Sequence, residues 1–149
     1  MLKAIHDNAW IAAHIPHQGS MCLLDHVEAW NEESLSCIAY SHRSADNPLR
    51  ARGQLAAACG IEYAAQAMAV HGALLAPNDT APRAGYLVSV RGTRLYVPRL
   101  DDITADLEVG AICLTRNENN ILYAFTIRAA EKLLLEGRAA VIVNAELLA

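Results

Sequence analysis

Three side chains in this sequence have the chemistry to move protons within a sheltered cleft: the carboxylate of Glu62 and the imidazoles of His17 and His42. Between Arg52 and Asp79, Glu62 is the sole formal charge, set in a run from Leu55 to Val70 that otherwise reads as a helix apolar on every face. Such a helix is normally buried. A carboxylate carried into that setting is expected either to find a hydrogen-bond partner or to keep its proton near pH 7, which is what a general acid requires. Gln66, one turn later on the same face, is placed to hold the carboxyl or a substrate by hydrogen bonding. For a base there are two candidates, because imidazole titrates near neutrality. His17 follows Pro16 in a loop before a strand, and the alternative reading is that it anchors that loop through the backbone. His42 ends the second strand, with an exposed strand-end histidine as its alternative.

The remaining histidines and the cysteines point elsewhere. His14 and His17 have i, i+3 spacing, but Pro16 breaks the helix that would align them and no third ligand is evident, so no metal site is expected. His26 is expected at the surface. His71 lies nine residues from Glu62, about half a turn out of phase, and is read as helix-end capping. Cys22, Cys37, Cys59 and Cys113 are scattered with no CxxC pair, which predicts reduced thiols, with a Cys22 to Cys37 bridge as the one alternative.

The elements that must position these groups follow from length and patterning. At 149 residues and a net charge of -4 the chain is read as one domain, residues 1–149, with no basic stretch to bind nucleic acid or an anionic membrane. No apolar run reaches the roughly 20 residues of a membrane span, and a cytoplasmic protein is expected. A short amphipathic helix over 4–14 precedes strands near 22–30 and 35–42, which are joined by the polar turn Asn31-Glu32-Glu33. A polar loop with Asp46-Asn47-Pro48 leads to a helix over 54–72 closed by Gly72. Strands follow near 84–97, 103–115, 120–130 and 134–145. Thr104, Asp106 and Glu108 alternate with Ile103, Ala105, Leu107 and Val109, so that strand has one wet face. The economical solution is an α+β domain: an antiparallel sheet of about six strands wrapped around one long central helix.

Two segments carry a family likeness. Glu62-Tyr63-Ala64-Ala65-Gln66 resembles the E-A-x-A-Q signature on the central helix of hot-dog-fold 3-hydroxyacyl-ACP dehydratases. The stretch from Ile15-Pro16-His17 to Leu24-Asp25-His26-Val27 is similar to that family's early L-P-H segment and following L-V-D-R-V strand. A weaker likeness runs from Ala84-Gly85-Tyr86 through Val90-Arg91 to Val97-Pro98. The whole sequence is most similar to the dehydratase-like proteins of aryl-polyene biosynthesis. The resemblance implies a hot-dog fold, a homodimer or a heteromer with a second hot-dog subunit, and dehydration of a 3-hydroxyacyl group carried on the phosphopantetheine of an acyl-carrier protein. No separate cofactor is implied. Glu62 would be the acid, His17 or secondarily His42 the base, and Gln66, Gly85 and Arg91 the substrate contacts.

One departure stands out. The family's histidine lies fourteen residues before the helix carboxylate, and that offset falls on Pro48. Arg52-Gly53-Gln54 also stands where the family has a P-G pair. Either another histidine has taken the role or the chain leaves chemistry to a partner subunit. A hot-dog thioesterase, in which the helix carboxylate activates water, needs no histidine and is the third reading.

Overall fold

The structure, a computed structural model, describes residues 6–15, 19–76, 86–117 and 119–142. Helix α1 (Asn8–His14) begins at Asp7, whose carboxylate accepts the Trp10 N–H at 3.0 Å and so satisfies one of the orphan donors of the first turn. Strands β1 (His26–Trp30) and β2 (Ser34–Ala39) form the expected hairpin. The Asn31 side-chain oxygen accepts the backbone N–H groups of Glu33 and Ser34, both at 2.8 Å, which closes the turn locally.

Helix α2 (Gly60–Leu75) and strands β3 (Tyr86–Leu95), β4 (Leu107–Arg116), β5 (Asn120–Ala129) and β6 (Lys132–Ile142) complete the fold. All six strands join one antiparallel sheet in the order β1-β2-β4-β5-β6-β3. Period-two alternation gives the sheet an inner face: Ile121, Tyr123, Phe125 and Ile127 of β5 are buried, as are Leu107, Val109 and Ala111 of β4. Helix α2 lies against β2, β4 and β5 and buries Tyr63, Ala64, Ala67, Met68 and Val70. Its entry is tight. A Cβ added at Gly60 would stand 2.8 Å from Leu135 Cδ2 and 2.9 Å from Ile127 Cδ1, so only glycine lets the helix start this close to the sheet.

The structure corrects the sequence reading of the elements around α2 and β4, and it shortens the first two strands to His26–Trp30 and Ser34–Ala39. The apolar run predicts helix from 54, yet helical structure starts only at Ala57, as a 3-10 turn over Ala57–Cys59 that leads into α2, and residues 54–56 are held by other bonds. Arg52 and Gly53 adopt positive φ and turn the chain at Ala51–Gln54, and Leu55 then pairs with the 100–101 segment through its N–H to Asp101 and its carbonyl to Leu100. The predicted stop at Gly72 is passed over, and the helix runs to Leu75, where the Ala76 N–H closes on the Ala73 carbonyl. Residues 103–106 alternate in exposure as expected but lie outside β4. Side chains from the 41–43 turn occupy the carbonyls of 103–105, as described below.

The four cysteines are free; Cys22 and Cys37 are buried, and burial pushes the Cys37 thiol up to about 12. Among the described residues no helix is long and apolar enough to cross a membrane.

Candidate active site

Glu62 sits in the first turn of α2, half-buried in the single chain. It is the one carboxylate on α2. Gln66 lies one turn on, fully buried. Its amide oxygen accepts the Leu23 N–H at 2.9 Å and its amide N–H donates to the Met21 carbonyl at 2.6 Å. Gln66 thus fastens the Met21–Leu23 segment to the carboxylate-bearing helix. That segment follows His17, which itself lies outside the described residues, as does Gly85.

A second set of bonds grips the same segment from the other side. Ser41 Oγ donates to the Leu23 carbonyl at 2.8 Å. With its one hydrogen engaged there, Ser41 Oγ accepts from the Tyr63 hydroxyl at 2.7 Å. Tyr63 OH in turn accepts from Asn47 Nδ2 at 3.0 Å, and the second amide hydrogen of Asn47 goes to the Ser41 carbonyl at 3.0 Å. The donor count closes with every hydrogen assigned. Leu23 is held at its N–H through Gln66 and at its carbonyl through Ser41, so two residues of α2, Tyr63 and Gln66, position the loops on either side. Burial pushes the Tyr63 phenol up, which keeps it a neutral donor.

Neither Tyr63, Ser41 nor Asn47 was singled out from sequence as an organiser of the site. The available signal was a phenol within an otherwise alanine-rich helix, next to the carboxylate. Between α1, the Cys22–Asp25 segment and Tyr40–Ser41 lies a cavity of about 300 Å³ whose wall includes Leu23 and Ser41, the two residues held by this network.

His42 is fully buried, so the exposed strand-end alternative is corrected. Its Nε2 lies 3.0 Å from the carbonyls of both Ile103 and Ala105. Two carbonyls can only accept, so Nε2 carries the proton, and the ring is neutral with Nδ1 as a bare lone pair that has no hydrogen-bond partner. Burial lowers its pKa from the ordinary value. Arg43 extends the tie, donating to the Thr104 carbonyl at 2.6 Å and to Asp106 at 2.8 Å. His42 therefore joins the turn after β2 to the 103–106 segment.

His71 is not a helix-end cap. It is fully buried, donating from Nε2 to the Asn31 carbonyl at 2.9 Å and accepting at Nδ1 from the Tyr123 hydroxyl at 2.8 Å, which ties the end of α2 to the β1–β2 turn and to β5. His26 is half-buried, with Nδ1 2.7 Å from Asp25. Arg91 is exposed on β3, in register with Arg138 of β6.

A six-stranded antiparallel sheet in this order, laid over one long helix that carries a carboxylate near its start, defines a hot-dog fold. The model of the ApeP-like family, described as ApeP dehydratase, matches residues 9–149. The chain belongs to the ApeP-like dehydratase family. Among solved structures, the dehydratase heterocomplex ApeI:P from Xenorhabdus doucetiae matches with a TM-score of 0.80 and 24% identity, over 93% of this chain and 94% of that one. A thioesterase from Haemophilus influenzae matches with a TM-score of 0.58 and 14% identity, over 78% of this chain and 76% of that one. AziG of S. sahachiroi matches with a TM-score of 0.60 and 12% identity, over 83% and 91%. These three share the fold. The comparison with curated proteins gives no match.

Proposed function

We propose that this chain works in the dehydration of a 3-hydroxyacyl group on acyl-carrier protein to the trans-2-enoyl form, in polyene or fatty-acid-like biosynthesis, as one half of a pair of hot-dog subunits. The observation that carries the reading is Glu62, the one carboxylate on α2, in a chain of a dehydratase family. A base removes a proton from C2, the C2–C3 double bond forms, and the C3 hydroxyl leaves as water with the proton that Glu62 donates. Both transfers need only side chains, so no separate cofactor or metal enters, and the acyl group arrives on phosphopantetheine. His17 is the first choice for the base. His42 is the weaker one, since its ring is fully buried and the lone pair at Nδ1 meets no polar group. Gly85 and Arg91 are assigned to the arm of the substrate. Gln66 joins them with a prior duty, since its amide already holds Met21 and Leu23. The likeness to a dehydratase heterocomplex supports a second, different hot-dog subunit as partner. The proposal places the pair in the cytoplasm.

The test supplies 3-hydroxyacyl-carrier protein to the purified chain, alone and with a co-encoded hot-dog subunit. Enoyl product in either mixture is expected, and its absence from both would defeat the proposal. A second reading, a subunit that binds substrate while its partner does the chemistry, is favoured by Pro48 at the family's histidine position. In that case Glu62→Gln and His17→Ala would leave the assembled complex fully active.

A further inference from the structure

Two histidines are fully buried among the described residues, and they differ in what faces their second ring nitrogen. His71 has a partner on each side, the Asn31 carbonyl at Nε2 and the Tyr123 hydroxyl at Nδ1. His42 has its Nε2–H between the carbonyls of Ile103 and Ala105, while its Nδ1 has no hydrogen-bond partner. The difference decides what a proton does to each ring. At His71 the hydroxyl can turn and accept from a newly protonated Nδ1. At His42 the new N–H would be a buried donor with nothing to bond, on a ring that has also become charged.

The charged groups around His42 do not offset that cost. Arg43 is the next residue, and Arg50 donates from Nη2 to the His42 carbonyl at 3.1 Å, so both neighbours are cations. Asp106 is the carboxylate that acts on the ring, and Arg43 already binds it at 2.8 Å. A charged ring is therefore disfavoured while the turn is closed, in line with the downward direction of its pKa under burial. What the turn holds gives this consequence. Ser41 belongs to the same short turn, Ser41–Arg43, and its Oγ grips the Leu23 carbonyl while accepting from the Tyr63 hydroxyl. The anchor to 103–106 and the grip on Leu23 thus sit on adjacent residues.

We propose that His42 is a proton-operated latch: the neutral ring holds the Ser41–Arg43 turn closed, and its protonation frees that turn and loosens the Leu23 segment on the side that Ser41 grips. In the open turn water solvates the ring, and both nitrogens can carry hydrogens without cost. Leu23 and Ser41 both line the cavity beside α1, so its wall loosens with the turn. Acid then changes the loops around the carboxylate-bearing helix before it unfolds the sheet, whatever reaction those loops serve.

Hydrogen exchange resolved by peptide tests this, on the full chain with its partner subunit where one co-purifies, from pH 7.5 to 5 and corrected for intrinsic exchange chemistry. Opening of 40–47 is expected to rise by about tenfold per pH unit below about 6.5, the ordinary value for histidine, with 21–25 rising alongside and β5 better protected at every pH. His42→Gln keeps an N–H for the two carbonyls and takes up no proton, so its profile over both segments is expected to be flat. His71→Gln is the control and is expected to keep the parent's slope. NMR of the His42 ring in the parent gives a reading that needs no variant: the ring is expected to gain its proton as the two segments lose protection. A flat profile in the parent, a slope that survives His42→Gln, or opening only in step with β5 would overturn the proposal. So would loosening of 40–47 without 21–25, or a ring that titrates while both segments stay protected.

Discussion

Asn47 Nδ2 donates to the Tyr63 hydroxyl at 3.0 Å, joining the loop that holds Pro48 to helix α2. Pro48 falls at the offset where the resemblance implies a histidine, and Tyr63 stands where the helix signature has alanine. The loop is bonded to the helix by a phenol, and the bond passes on through Ser41 to Leu23.

Tyr63→Phe keeps the ring and removes the hydroxyl, leaving the Asn47 donor and a Ser41 lone pair without partners inside the fold. A loss of about 1–3 kcal/mol is expected. Urea unfolding of the variant measures it, and a midpoint equal to the parent's would mean that the network adds nothing to stability.

Gln66→Leu fills similar space but frees the Leu23 N–H and the Met21 carbonyl. The buried donor alone makes this cost about 2 kcal/mol, and the 19–24 segment is expected to exchange its amide hydrogens faster than the sheet does. Hydrogen exchange resolved by peptide reads this directly. Protection unchanged over 19–24 would contradict the positioning role.

Gly60→Ala places a methyl group within 2.9 Å of Leu135 and Ile127, both fully buried. Overpacking of this kind costs about 1–3 kcal/mol, whereas helix propensity alone would make the change stabilising by about 1 kcal/mol. The sign of the shift in Tm therefore separates the two effects, and a rise would show that the sheet yields to the helix.

Acid is expected to destabilise the fold through His42 and His71. Burial lowers both from their ordinary value of 6.5, so between the folded and unfolded values the unfolded chain holds more protons. Stability then rises with pH across that window; it is fully present above about 6.5 and is lost as pH falls below it. Thermal melts from pH 7.5 to 5 test this. Tm should fall with acidification, and more shallowly in His71→Gln, while a flat or rising profile would contradict it.

The helix and the six strands were legible because long apolar stretches and period-two patterns report burial directly, as in Leu107 to Ala111 of β4. Where tertiary bonds decide, sequence misled. Residues 54–56 read as helix, but they follow a left-handed turn at Arg52–Gly53 and bond to the 98–101 loop, and a 3-10 turn at Ala57–Cys59 precedes α2. His42 and His71 were legible as titratable groups and illegible as struts, since the carbonyls that hold them lie 61 and 40 residues away in the chain. Glu62 and Gln66 stood out because polar atoms on an apolar helix are rare. Tyr63 did not, because a tyrosine passes as core until its hydroxyl's partners are known.

The central claim is that Glu62 supplies the proton that lets the C3 hydroxyl leave. Its most direct test is the rate of enoyl formation from 3-hydroxyacyl-carrier protein by the assembled complex carrying Glu62→Gln, a change that keeps size and removes the acid. A fall of several hundredfold in kcat, within the usual range for losing a general acid, is the predicted result. Turnover within a few fold of the parent would contradict the account and leave the chain as a partner that shapes the site without acting in it.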